Sequence, residues 1–280
     1  MASMGPGGLN PVPGHGIDTG ACSARFGAPA GARLGERVVE LAVSVVVPVK
    51  NESSNVTPLI EEIAAALRGR EAFEILYIDD GSSDDTGEVL KGLKSRFPEL
   101  RPLRHAVNCG QSGAIRTGVL HARGALIVTL DGDGQNDPAD IPALIDTFRA
   151  QAGSGTLGLV AGQRRRRQDT LSKRLASRFA NRVRRWALND ATQDTGCGLK
   201  LIPRTVFLKL PYFDHMHRFL PALVLREGLQ VAFVSVNHRP RLHGQSNYNN
   251  LQRALVSISD LLGVMWLKRR CRLPRAVEEL

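Results

Sequence analysis

The chain has 280 residues, 42% of them apolar and 23% charged, with a formal net charge of +10 at pH 7. That is enough to bury a real core in one large domain with extensions, at ~100–200 residues per domain, and the excess of base points to polyanionic partners: nucleic acid, an anionic membrane surface or phosphorylated substrates. Cys22, Cys109, Cys197 and Cys271 stand too far apart for a metal knuckle and read as reduced thiols of a cytosolic protein, and no apolar run reaches the ~18 residues of a membrane-spanning helix.

Residues 1–37 are rich in Gly, Pro, Ala and Ser without periodicity and read as a flexible tail. The N-terminus lacks the charged-then-apolar order of a signal peptide. A domain is expected over 38–246. Val43–Val49 is an apolar run suited to a strand buried on both faces. Thr57-Pro58 predicts a helix with Pro at its first position and an apolar stripe of Ile60, Ile63 and Leu67. A second strand, Phe73–Ile78, runs into Asp79-Asp80-Gly81-Ser82, and a helix follows the Ser83-Asp84 cap. Gly110–Ala122 reads as a loop entering a helix, and Leu126–Leu130 as a third strand ending at Asp131. Alternating strands and helices imply a parallel α/β sheet, whose ligands sit beyond the carboxyl ends of the strands. Pro48–Glu52, Asp79–Ser82 and Asp131–Gln135 should therefore converge at one edge.

A long helix is expected over Leu171–Leu188, and further strands over Leu199–Leu210 and Leu229–Val236. In residues 247–280, Leu251, Leu255, Ile258, Leu262 and Met265 alternate four-three spacing, which predicts an amphipathic helix. Trp266 and Lys268-Arg269-Arg270 favour a helix lying in a membrane interface, although the stripe is equally suited to packing on the domain or a partner subunit.

Asp131-Gly132-Asp133-Gly134-Gln135 places two carboxylates on a glycine-loosened turn, which are good oxygen ligands for Mg²⁺ or Mn²⁺ shared with substrate phosphates. A calcium loop of the EF-hand type is excluded, because its required Gly and Glu positions hold Asn136 and Pro142. From Gln163 to Arg185 the chain carries ten Lys or Arg against a single acid, Asp169. A nucleic-acid surface would interleave stacking aromatics, and none stand among Arg164–Arg167. Arginine forks match phosphate oxygens bidentately, which suits a lipid phosphate at an anionic membrane surface. Gly153-Ser-Gly155-Thr-Leu-Gly158 has dinucleotide-fingerprint spacing but precedes a strand, so its context is wrong.

Taken together, Pro48-Val49-Lys50-Asn51-Glu52, Asp79-Asp80-Gly81-Ser82-Ser83-Asp84 and Asp131–Gln135 resemble the strand-end motifs of family 2 glycosyltransferases with the GT-A fold, a mostly parallel Rossmann-like sheet flanked by helices. Arg167-Gln168-Asp169 with Lys173-Arg174 and Ala176-Ser177, Asp194-Thr-Gly-Cys-Gly-Leu-Lys200, Arg218-Phe219 and Arg239…Gly244-Gln-Ser-Asn-Tyr248 are similar to segments of the polyprenyl-phosphate subfamily, which includes dolichol-phosphate mannose synthases and undecaprenyl-phosphate sugar transferases. The resemblance covers about residues 41–250. Lys50 departs from the family's usual Tyr, and Leu199-Lys200 from its Phe-Arg.

The resemblance implies inverting transfer of a sugar from a UDP- or GDP-sugar to a polyprenyl phosphate. Asp131, Asp133 and Gln135 would hold Mg²⁺ or Mn²⁺, and Asp133 and Asp194 would serve catalysis. Pro48, Lys50, Glu52, Asp79, Asp131 and Gly132 would line the nucleotide. Arg164, Arg167, Lys173, Ser177 and Arg239 would bind the acceptor phosphate. The expected location is peripheral, on the cytoplasmic face of the inner membrane, with no nucleic-acid partner and the oligomeric state open. Mannose, glucose, galacturonate and an aminoarabinose derivative all remain candidate sugars. A transferase acting on a saccharide hydroxyl and a non-catalytic basic binding module are the competing readings.

Overall fold

The computed structural model describes residues 41–153, 155–164, 184, 187–190, 192, 194, 196–240 and 250–272. The expected tail over 1–37, most of the expected helix over 171–188, and Arg167, Lys173, Ser177 and Gly244–Tyr248 lie outside them.

The described chain runs β1 (Val43–Val49), α1 (Ser53–Leu67), β2 (Phe73–Asp79), α2 (Thr86–Leu93), β3 (Leu100–Arg104), α3 (Gly110–His121), β4 (Leu126–Thr129), α4 (Ile141–Ala152), β5 (Leu157–Arg164), β6 (Lys200–Pro203), α5 (Arg204–Lys209), α6 (Leu220–Arg226), β7 (Gln230–Val236) and α7 (Asn250–Arg270). Seven strands form one sheet in the order β3-β2-β1-β4-β6-β5-β7. β6 is antiparallel to both β4 and β5, and the remaining pairs are parallel. The first two expected strand ends, β1 and β2, pair in register from Val43–Phe73 to Val49–Asp79, so the residues after them emerge side by side. β4 flanks β1 on the other side.

Strand periodicity explains the two cores. Val43, Val45 and Val47 face one side, where Ile60 and Ile63 of α1 and Leu144 of α4 close over them. Val46 faces the other, against Ala114, Ile115 and Val119 of α3 and, further along the sheet, Leu220, Leu223 and Val224 of α6. A β-branched run with both faces covered is what a central parallel strand requires. Each buried Val, Ile or Leu adds ~1.5–3 kcal/mol, so the helices are held mainly by their apolar faces.

Four expectations are corrected. α1 starts at Ser53, with Pro58 inside it. The Asp84 carboxylate accepts from Ser53 N at 3.2 Å, and Glu52 holds Asn55 Nδ2 at 2.6 Å, so a tertiary cap replaces the Thr57 cap that spacing suggested. An additional strand, β3, pairs at the sheet edge, where Pro102 is tolerated because the outer side needs no ladder hydrogen bond. Leu199–Leu210 is half strand, half helix: β6 ends at Pro203, and α5 carries the rest.

The fourth concerns α7. Val264 is fully buried, and Leu261, Met265 and Leu267 pack on the α6 side of the core. Ile258, Leu262 and Trp266, at four-residue intervals, are 56%, 60% and 62% exposed. The expected stripe is therefore split, with Ile258 and Leu262 outward and Met265 inward. Lys268 also turns inward, and its ammonium donates to the Leu188 carbonyl. No helix among the described residues is long and apolar enough to cross a membrane.

Candidate active site

The ends of β1, β2 and β4 converge at one sheet edge. Asn51 adopts left-handed φ of 56°, and its Oδ1 accepts from Ser83 N at 2.8 Å while its own N–H donates to Ser82 Oγ at 2.9 Å. Glu52 N donates to Thr86 Oγ1 at 3.1 Å. These bonds stitch the Pro48–Glu52 loop to the Asp79–Asp84 loop, leaving Lys50 exposed.

The two aspartates that end β2 are both buried and do different work. Asp79 accepts from Ser82 N at 2.8 Å and faces Arg104 Nε at 3.3 Å. Asp80 receives Cys109 N and Gly110 N, both at 2.8 Å, and so satisfies the N-terminal donors of α3. His105 Nδ1 lies 2.7 Å from Asp80 Oδ1, and His105 Nε2 lies 2.9 Å from Thr117 Oγ1. Asp80, His105 and Cys109 together offer O, N and S donors within 4.8 Å. Both Asp80 oxygens and both His105 nitrogens are already hydrogen-bonded within the fold, which makes this group a helix cap.

Beyond β4, the Asp131–Gln135 turn is fixed from several sides. Asp131 N donates to Asn136 Oδ1 at 3.2 Å, and Gln135 N donates to Asp133 Oδ1 at 3.1 Å. Gln111 in the first turn of α3 donates to Asp131 Oδ1 at 2.8 Å. Two glycines permit the approach. A Cβ on Gly132 would sit 2.2 Å from Val49 Cγ1, and one on Gly198 would sit 2.2 Å from Asp131 Oδ2. The segment leading into β6 thus presses its backbone against the Asp131 carboxylate.

Burial, and then the like charge of Asp133, push the Asp131 carboxyl up to about 6, while Lys200, Gln111 and Arg164 pull it down. Two neighbouring carboxylates, with an all-oxygen donor set completed by the Gln135 side chain, fit a hard divalent cation. Lys200 is buried and donates to the Cys197 carbonyl, and desolvation lowers its pKa.

The expected acceptor residues are only partly described. Arg164, at the end of β5, forms a two-pronged ion pair with Asp194: Nε to Oδ2 is 2.5 Å and Nη2 to Oδ1 is 2.6 Å. The Arg239 guanidinium bridges Glu62 at 2.7 Å and Asp137 at 2.6 Å, and Arg239 N donates to Gln135 O at 2.9 Å. Arg239 thereby ties the carbonyl side of the Asp131–Gln135 turn to α1. Residue spacing gives no role to Gln111, Asn136 or Gly198, although Gly198 stands within the Asp194–Lys200 segment. The available signal for Gln111 was its place in the first turn of a helix that follows a strand to the same edge.

A model of "Glycosyl transferase family 2" matches residues 44–210. A dodecaprenyl-phosphate galacturonate synthase of Rhizobium johnstonii is 35% identical over 242 residues, covering 83% of this chain and 69% of its own length. An undecaprenyl-phosphate 4-deoxy-4-formamido-L-arabinose transferase of an Enterobacter species is 36% identical over 215 residues, covering 74% of this chain. This chain spans only 62% of that relative's length. Among solved structures, Mycobacterium tuberculosis glucosyl-3-phosphoglycerate synthase with Mn²⁺, UDP-glucose and glycerol 3-phosphate superposes with a TM-score of 0.59 at 18% identity, covering 84% of this chain and 82% of that one. The fold is GT-A-like, as the strand-end motifs implied.

Proposed function

The chain belongs to glycosyl transferase family 2, and we propose that it moves one sugar from a nucleoside diphosphate sugar to the phosphate of a polyprenyl phosphate, with inversion at the anomeric carbon. The observation that carries this reading is the Asp131–Asp133 pair, held at the carboxyl edge in a chain whose relatives are named for polyprenyl-phosphate transfer. An acceptor phosphate oxygen bonds to the anomeric carbon as the bond to the departing nucleoside diphosphate breaks. That oxygen is already anionic near neutral pH, so the reaction needs no strong base.

Asp131, Asp133 and Gln135 would hold Mg²⁺ or Mn²⁺, which supplies charge neutralisation on the leaving diphosphate. Mn²⁺ accompanies the nucleotide sugar in the M. tuberculosis enzyme. The nucleotide would lie along the stitched loops carrying Pro48, Lys50, Glu52 and Asp79, beside Asp131 and Gly132 of the neighbouring turn. Arg164 would meet the acceptor phosphate, with Arg167, Lys173 and Ser177 from the following segment.

The outward face of α7 would rest on an anionic membrane surface. Ile258, Leu262 and Trp266 project on successive turns, followed by exposed Arg269 and Arg270. On this reading the enzyme would sit peripherally on the cytoplasmic face, where polyprenyl phosphate would be reached from the lipid side.

The test is a panel of UDP- and GDP-sugars, including UDP-galacturonate and UDP-4-deoxy-4-formamido-L-arabinose, assayed with Mn²⁺ and undecaprenyl phosphate. One donor should give a lipid-linked monosaccharide in a metal-dependent manner. Transfer to a saccharide hydroxyl with none to the lipid phosphate would overturn the reading.

A further inference from the structure

Asp194 has the sequence position of an active-site acid, but its carboxylate is already engaged. Oδ1 accepts from Arg164 Nη2 at 2.6 Å and from Gly196 N at 3.2 Å. Oδ2 accepts from Arg164 Nε at 2.5 Å and from Arg164 N at 3.4 Å. A carboxylate has about four lone-pair sites, and these four donors engage both of its oxygens. Two of the bonds are charge-assisted and bidentate, the geometry that most favours the ionised form and makes the group a poor proton acceptor. The pair is also largely shielded from water, with the Arg164 and Asp194 side chains 12% and 10% exposed.

Arg164 shows the complementary arrangement. Its fork spends Nε and Nη2 on Asp194, and Nη1 makes no hydrogen bond among the described residues. Gly196 stands so close that a Cβ there would lie 3.0 Å from Nη2, which leaves the guanidinium little room to swing. Arg164 is the last residue of β5 and is close enough to Asp131 that each stabilises the other's charge.

We propose that Asp194 is a positioning residue rather than a general base: it fixes the Arg164 guanidinium so that its Nη1 edge receives a phosphate beside Asp131. That phosphate is either the acceptor's or the donor's outer one. The inference rests on the transfer reaction proposed above, in which the nucleophile brings no proton for Asp194 to remove.

The experiment compares Asp194→Asn, Asp194→Ala, Arg164→Ala, Arg164→Lys and the double Ala variant in the full chain, with melting curves to confirm folding. Asp194→Asn retains kcat within about 10-fold, whereas loss of a general base costs on the order of 100- to 10,000-fold. Its pH profile matches that of the unmodified enzyme. KM for the phosphate partner rises about 10-fold in Asp194→Asn and further in Asp194→Ala, and the double variant is no worse than Arg164→Ala, as expected of groups acting as a unit. Arg164→Lys does not rescue, because an ammonium cannot reproduce the fork.

Titration with geranyl phosphate, and separately with UDP or GDP plus Mn²⁺, reports binding without turnover. Weakening confined to geranyl phosphate assigns the edge to the acceptor, and weakening confined to the nucleotides assigns it to the donor. A collapse of kcat in Asp194→Asn with KM unchanged, or multiplicative losses in the double variant, overturns the inference while leaving the transfer reaction standing. An unmodified enzyme that binds no probe and transfers no sugar overturns the transfer reading itself, and this inference with it.

Discussion

The Asp131–Gln135 turn and helix α7 are opposites in how they are held. The turn is locked by groups from four other parts of the chain: Gln111 of α3, Val49 of β1, the backbone at Gly198, and Arg239 beyond β7. α7 is held along one face, by Val264 and its neighbours, while Ile258, Leu262 and Trp266 project from the other. Under the proposed reaction the turn would hold a cation and a diphosphate, which needs fixed donors, because small displacements of an oriented group cost orders of magnitude in rate. Attachment to a fluid lipid surface needs only apolar area and positive charge. One region is over-determined, and the other is left half unsatisfied.

The largest expected effect tests the rigid side. Asp133→Ala should lower Mn²⁺-dependent transfer by about 1000-fold or more, since charge stabilisation by a bound cation is worth several kcal/mol. Its melting temperature should change little, because Asp133 is partly exposed at the turn. Equal transfer by the variant would remove the metal assignment.

Gly198→Ala comes next. The new methyl meets the Asp131 carboxylate at 2.2 Å, so Asp131 must move. Mn²⁺ affinity should fall at least about 10-fold, with a stability loss of roughly 1–3 kcal/mol from overpacking. Calorimetric titration and denaturant unfolding measure the two together, and an unchanged Mn²⁺ affinity would mean the turn is looser than its contacts indicate.

A proton offers a milder perturbation of the same turn. With the metal-free Asp131 carboxyl raised to about 6, protons compete with the cation below that pH. Apparent Mn²⁺ affinity should be flat above neutrality and weaken as pH falls through about 6. A curve that stays flat down to pH 5 would separate cation binding from Asp131.

The smallest effects on the folded molecule belong to α7. Replacing Ile258, Leu262 and Trp266 with Ser should leave stability within about 0.5 kcal/mol per site, as for surface positions, yet weaken binding to phosphatidylglycerol-containing vesicles about 10-fold or more. Val264→Ala should do the reverse, costing roughly 1–3 kcal/mol by cavity formation with vesicle binding intact. If both variants lost stability and neither lost vesicle binding, the two faces of α7 would not divide the work.

The sequence was most legible where local chemistry and local geometry coincide. The strand-end segments Pro48–Glu52, Asp79–Asp84 and Asp131–Gln135 declared an α/β sheet with a ligand edge, because burial on both faces forces a β-branched run and the turn after it must be polar. Spacing failed where the deciding partner is remote. α1 was misplaced by several residues because its cap comes from Asp84, across the β1–β2 edge. β3 went unseen because an edge strand with Pro102 lacks the continuous apolar run of its neighbours.

The amphipathic spacing in α7 announced a helix but not its orientation, since a 3.6-residue period records only that apolar groups share faces. Which face meets the protein was decided by α6 and the core beneath it. In the same way, Asp131, Asp133, Arg164 and Asp194 were visible in the sequence as ionisable groups. That Arg164 and Asp194 pair with each other, and that Gly198 makes room for Asp131, follows from bringing β4, β5 and β6 side by side. The sequence by itself determined which ionisable groups stand at the strand ends and the sheet that presents them. The tertiary structure decided which charges are occupied, because a carboxylate's partner is chosen by distance in space.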